Sequence, residues 1–124
     1  MDTIEKYRQI IKQLLTEYSE IPTTESGREN QTIFDSENDR YMLISLGWSQ
    51  EKRIHYCIIH IDIIAGKTWI QANNTDCLIA EELVAAGVPA KSIVLGMQPP
   101  EVRPYTAYGV GIEESDRLLQ LKSN

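Results

Sequence analysis

Near its middle the chain carries RIHYCIIHIDII, Arg53 to Ile64, in which apolar residues fall on both parities. In an extended chain Cys57, Ile59, Ile61 and Ile63 share one face, and Tyr56, Ile58, His60, Asp62 and Ile64 share the other. A strand that is apolar on both faces belongs at the centre of a sheet, covered at least in part on each side. The rest of the chain must therefore supply flanking strands and a layer to pack on them.

Both are legible. Arg40 to Trp48 alternates, with Met42, Ile44, Leu46 and Trp48 opposing Tyr41, Leu43, Ser45 and Gly47. Lys67 to Ala72 sets Trp69 and Gln71 against Thr68, Ile70 and Ala72, and joins the long strand through a two-residue loop at Ala65-Gly66. Gln31 to Asp35 is a first strand, and Ser36 to Asp39 is a turn of residues that bond their own backbone. Strands so close in sequence pair with their neighbours, which gives an antiparallel meander.

The first element is helical. Ile4, Tyr7, Ile10, Ile11, Leu14, Leu15 and Tyr18 form one apolar stripe, and Asp2 with Glu5 has capping-box spacing. Glu5, Lys6, Arg8, Gln9 and Lys12 read as its solvated face, and the helix stops near Tyr18 before Ile21-Pro22. Asn73 to Asp76 caps a second helix over Asp76 to Ala86, with Gly87 as its left-handed stop. Pro89 opens a single turn through Ser92, and Ile93-Val94-Leu95 is a short buried piece. Tyr105 to Val110 reads as a fifth, edge-type strand. The predicted fold class is α+β: an N-terminal helix packed on an antiparallel meander of four to five strands, with a second helix after the meander. Residues 1–124 form one domain, of which 112–124 is either a short helix through Leu118, Leu119 and Leu121 or a frayed tail.

Composition narrows the function. Twelve basic against eighteen acidic residues give a net charge of −6. Lysines and arginines are scattered, so the basic stripe of an autonomous nucleic-acid binder is missing and direct DNA binding is disfavoured. A positively charged protein partner fits better. No run approaches the roughly 18 apolar residues of a membrane span. The start, MDTIEKYRQI, has neither the basic beginning nor the apolar middle of a signal peptide, so the expected compartment is the cytoplasm. There Cys57 and Cys77, 20 residues apart without a CxxC, are expected to be reduced and packed.

Chemistry is sparse. His60 and Asp62 share a strand face, an arrangement that can hold a metal or tune a general base, or simply satisfy two polar groups. No third ligand stands at a recognisable spacing, so the mutually satisfied pair is the preferred reading, with a small enzyme or metal-binding protein using His60 and Asp62 as the alternative. A restriction-type nuclease would need a carboxylate and a lysine on the following strand, which instead reads Trp69-Ile70-Gln71. Nucleotide-binding and nucleophile-elbow motifs are absent, and no cofactor is expected. Tyr105 and Tyr108, without a basic surround, read as core or interface residues, and Trp48 and Trp69 as core or sheet-face anchors.

What remains is Gly87 to Gly111, GVPAKSIVLGMQPPEVRPYTAYGVG. Pro89, Pro99, Pro100 and Pro104 each fix a dihedral and remove a donor, so this segment specifies a chain path and little chemistry. It is the best candidate for a recognition surface, with Glu101, Arg103 and Tyr105 projecting toward a partner.

The same segment, with YRQIIKQLLTEY, TIFD, HIDI and WIQ in order before it, resembles the XisI family, the fdxN-element excision controlling factors of cyanobacteria. The likeness spans nearly the whole chain. It implies an α+β fold and a non-catalytic accessory role in the developmentally regulated DNA rearrangement of heterocyst differentiation. In that role the protein would act beside a site-specific recombinase and contact an XisH-like, nuclease-related partner, with a homodimer also compatible. The chain departs from the family pattern at Met97-Gln98, where an aromatic followed by His is common, and at Ala107-Tyr108, where an acidic residue and Phe are common. Any chemistry that depended on that His is closed to this chain.

Overall fold

The computed structural model describes residues 2–22 and 27–111. Helix α1 spans Thr3–Ser19. It begins where it does because the Asp2 carboxylate accepts from the amides of Ile4 at 2.7 Å and Glu5 at 3.2 Å, satisfying two first-turn donors. Glu5 does not return the bond of a full capping box, because its carboxylate takes Arg8 Nη1 at 3.1 Å. Arg8 also departs from the expected solvated face. It donates from Nε and Nη2 to the two oxygens of Asp39 at 2.7 and 3.2 Å, and so ties the helix to a turn of the sheet.

Four strands form the expected antiparallel meander: β1 (Arg28–Asp35), β2 (Arg40–Ser49), β3 (Lys52–Ile64) and β4 (Lys67–Asn73), adjacent in that order. Between β1 and β2 the Asp35 carboxylate accepts from the amides of Glu37 and Asn38 at 3.0 and 3.1 Å, and Asp39 takes a positive φ of 53°. The turn therefore uses the local side-chain bonding its residues favour. β1 starts at Arg28, three residues earlier than the alternation predicted, alongside Gly47. Gly47 permits this approach: a Cβ there would lie 2.0 Å from the Gly27 carbonyl oxygen.

The simple alternation of β3 does not survive. Leu43 pairs with Ile59 but Ile44 with Cys57, so Ile58 is an extra residue. Beyond that bulge the faces exchange. Tyr56 turns to the face of the buried Ser45, where Arg28 donates to the hydroxyls of both, and Cys57 leaves the face shared by Ile59, Ile61 and Ile63. A second shift makes Gln71 the extra residue of β4 against β3.

Two other expectations are corrected. The second helix, α2, spans only Ile79–Ala86. Its expected cap bonds itself instead: Asn73 Oδ1 accepts from Thr75 N and Oγ1, Thr75 Oγ1 accepts from Cys77 N, and Asn73 Nδ2 donates to Cys77 O. These local bonds compete with helix, so the first turn is delayed and Leu78 stands at the N-cap with no side-chain bond. The fifth strand is not Tyr105 to Val110, where Arg103–Tyr105 is a single 3₁₀ turn and Gly109 makes only an isolated bridge. It is β5 (Ile93–Leu95), which follows a 3₁₀ turn at Ala90–Ser92 and pairs in parallel with β4. A helix between β4 and β5 reverses the chain's direction, so the crossover returns a parallel strand. Gly87 ends α2 at a φ of 120°, as expected.

Both helices lie on the face bearing Tyr41, Leu43, Ile59, Ile61 and Ile70, which with Tyr7, Ile11, Leu15, Ile79 and Leu83 make the core. Each such fully buried aliphatic side chain contributes roughly 1.5–3 kcal/mol. The tail expected at 112–124 lies outside the described residues. No helix among the described residues is long and apolar enough to cross a membrane.

Candidate functional site

The outer face of the sheet, opposite the helices, gathers the features the sequence singled out. Between the buried Ile61 and Ile63, Asp62 points outward, and His60 lies on the same face. His60 Nε2 is 2.7 Å from Asp62 Oδ1, so the expected pair forms. Gln71, displaced by its bulge, donates from Nε2 to the other Asp62 oxygen at 3.3 Å. The pair is half-buried, with 27% of the His60 and 13% of the Asp62 side chain exposed. Both carboxylate oxygens and one ring nitrogen are thus engaged. Among the described residues no three His, Cys, Asp or Glu side chains gather to hold a metal.

Opposite Asp62, on β4, is Trp69. It lies buried on this face because the proline-rich segment folds over it. The path is a series of single turns, with Gln98 N bonded to Leu95 O, Val102 N to Pro99 O, Tyr105 N to Val102 O and Thr106 N to Arg103 O, each at 3.0–3.1 Å. Arg103 holds these turns to the sheet. Its guanidinium carbon stands 5.1 Å from the Trp69 ring centroid, while Nε and Nη2 donate to the carbonyls of Gln98 and Gly96 at 3.2 and 3.4 Å. Gly96 allows the close passage: a Cβ there would meet Gln71 Oε1 at 2.6 Å. The polar pair and the segment are therefore one assembly, joined through Gln71.

Of the three residues expected to project from the segment, Glu101 and Tyr105 are exposed, Tyr105 at 90%. Arg103 is half-buried and directed inward. Tyr108 packs against the core, whereas Trp48 sits on the outer face, 54% exposed, with the Arg53 guanidinium 5.4 Å from its ring. An apolar recess of about 310 Å³, lined by Leu78, Ile79, Leu95, Met97 and Tyr108 among others, opens between the start of α2 and the segment.

Trp69 is the sheet-face anchor expected of it, but that Trp69 and Gln71 together seat the segment was not foreseen. The signal was available. A two-residue loop at Ala65-Gly66 pairs Ile64 with Lys67, and counting back sets Asp62 opposite Trp69.

A family model described as XisI protein matches residues 1–110. A crystal structure of a XisI-like protein from Anabaena variabilis ATCC 29413 is similar at a TM-score of 0.82 and 44% identity, covering 89% of this chain and 100% of that one. That of the fdxN element excision controlling factor XisI from the same organism is similar at a TM-score of 0.77 and 28% identity, with the same coverage. Comparison with curated proteins gives no match.

Proposed function

The chain belongs to the XisI family, and from that premise we propose that it is a non-catalytic controlling factor for site-specific DNA excision, acting by contact with an XisH-like, nuclease-related protein. The observation that carries this reading is the likeness, over 89% of this chain, to a protein described as an fdxN element excision controlling factor. The outer-face assembly fits the role. Glu101 and Tyr105 stand on a path fixed by prolines and by the Arg103 stack, so little conformational freedom is lost when a partner binds. An exposed tyrosine with two rotatable angles, as Tyr105 is, is the type of residue that dominates interfaces. The net charge of −6 speeds encounter with a basic partner.

Co-expression with the XisH-like companion is the test. A complex should co-purify at low salt, and the Glu101→Ala/Tyr105→Ala double variant should weaken it at least tenfold with unchanged melting temperature. Failure of the wild-type pair to associate, or indifference to the double variant, overturns the reading.

A further inference from the structure

The sheet ends differently on its two sides. At β5 it is closed from within, because Val94 bridges Gly109 and the Gly109 amide donates to Ile93 O at 2.7 Å. At the other side no described strand lies beyond β1. Native sheets blunt such an edge with charge, proline, a bulge, shortness or cover, since a free row of amides and carbonyls templates another strand. The charges of β1 (Arg28, Glu29 and Asp35) stand at its two ends, and Asn30 to Phe34 between them carries none. β1 is eight residues long, has no proline, and pairs with β2 without a register shift, although both inner antiparallel ladders are bulged. Ile33 and Phe34 stand on it 48% and 37% exposed.

We propose that β1 pairs antiparallel with β1 of a second copy about a two-fold axis at Gln31, joining two five-stranded sheets into one. The residues themselves select the occupant and the register. A two-fold axis normal to the sheet keeps the helix faces on one side, so each residue must oppose one of its own parity. Centring on Thr32 would set Glu29 against the partner's Asp35, a like-charge pair. Centring on Asn30 would leave Phe34 and Asp35 outside the ladder. Centring on Gln31 sets Arg28 against the partner's Phe34, Glu29 against the partner's Ile33, and Asn30 against the partner's Thr32, with no like-charge pair. Arg28 already lies over an aromatic ring, 5.2 Å from the Tyr56 centroid, and Phe34 of the second copy extends that contact on the helix face.

The test uses the full chain. Sedimentation of the purified protein should show a concentration-dependent dimer. Gln31→Cys, in a Cys57→Ser/Cys77→Ser background, places thiols directly across the axis within disulfide reach. It should cross-link under mild oxidation far faster than Glu37→Cys in the turn. Gln31→Glu puts like charges in register and should weaken association roughly two- to fivefold. Gln31 is exposed and donates to Glu29 of its own strand at 3.0 Å, so the monomer should keep its spectrum and lose at most a few degrees of melting temperature in the Glu variant. A monomer at millimolar concentration overturns the proposal, as does equal cross-linking at both sites. Neither outcome touches the proposed contact with a heterologous partner, which lies on another part of the surface.

Discussion

Tyr41 lies wholly buried under α1, and its hydroxyl donates to Asp39 Oδ1 at 2.9 Å. The same carboxylate takes both forks of Arg8, so one aspartate joins helix, turn and strand. Burial, and after it the bond to Asp39, pushes the phenol from 10.0 up to about 12. Between those values the unfolded chain releases a proton that the folded chain keeps. Stability from this group is therefore complete below pH 10 and is lost as pH rises toward 12. Urea denaturation at stepped alkaline pH should show the decline, and Tyr41→Phe should flatten it while removing about 1 kcal/mol at neutral pH. Tyr18 shifts the same way, chiefly through burial, so the difference between wild type and Tyr41→Phe is the informative quantity. At this scale the sequence was partly legible. The His60–Asp62 pair followed from strand parity alone. Arg103 did not, because an arginine between prolines looks like a surface charge until its distance to Trp69 is known.

Elements were legible wherever their periodicity was unambiguous. Helix α1 and the four meander strands follow from spacing. Because both parities of β3 are apolar, however, nothing in the pattern marks where the alternation slips, and the bulge at Ile58 left no trace. α2 illustrates a competition between neighbours. Asn73, Thr75 and Asp76 look like helix starters, yet the first two spend their side chains on the loop, leaving Leu78 at the cap, 66% exposed. That defect is correctable. Leu78→Ser supplies an oxygen for the first-turn amides and should stabilise the protein by about 0.5–1 kcal/mol, read as a rise of a few degrees in thermal midpoint. An unchanged or lower midpoint would mean that the loop bonds, and not the missing cap, set where α2 begins.

The whole molecule combines parts of unequal robustness. The meander is long and continuous, while β5 contributes three residue pairs and the segment after it hangs on isolated turns and the Arg103 stack. Amides of Gln98, Val102, Tyr105 and Thr106 should exchange with deuterium through local opening, well before those at the centre of β2 and β3. Arg103→Ala should hasten the first group and leave the second unchanged; acceleration of both would show that the stack supports the whole sheet. The closed edge at β5 has a further consequence. A sheet with two free margins can add copies indefinitely and grow into filaments, whereas a chain that has spent one margin on its own Gly109 can be joined only once. Under the pairing proposed at β1, growth by strand addition would end at a closed pair, with the Gly109 bridge obstructing addition at the other margin.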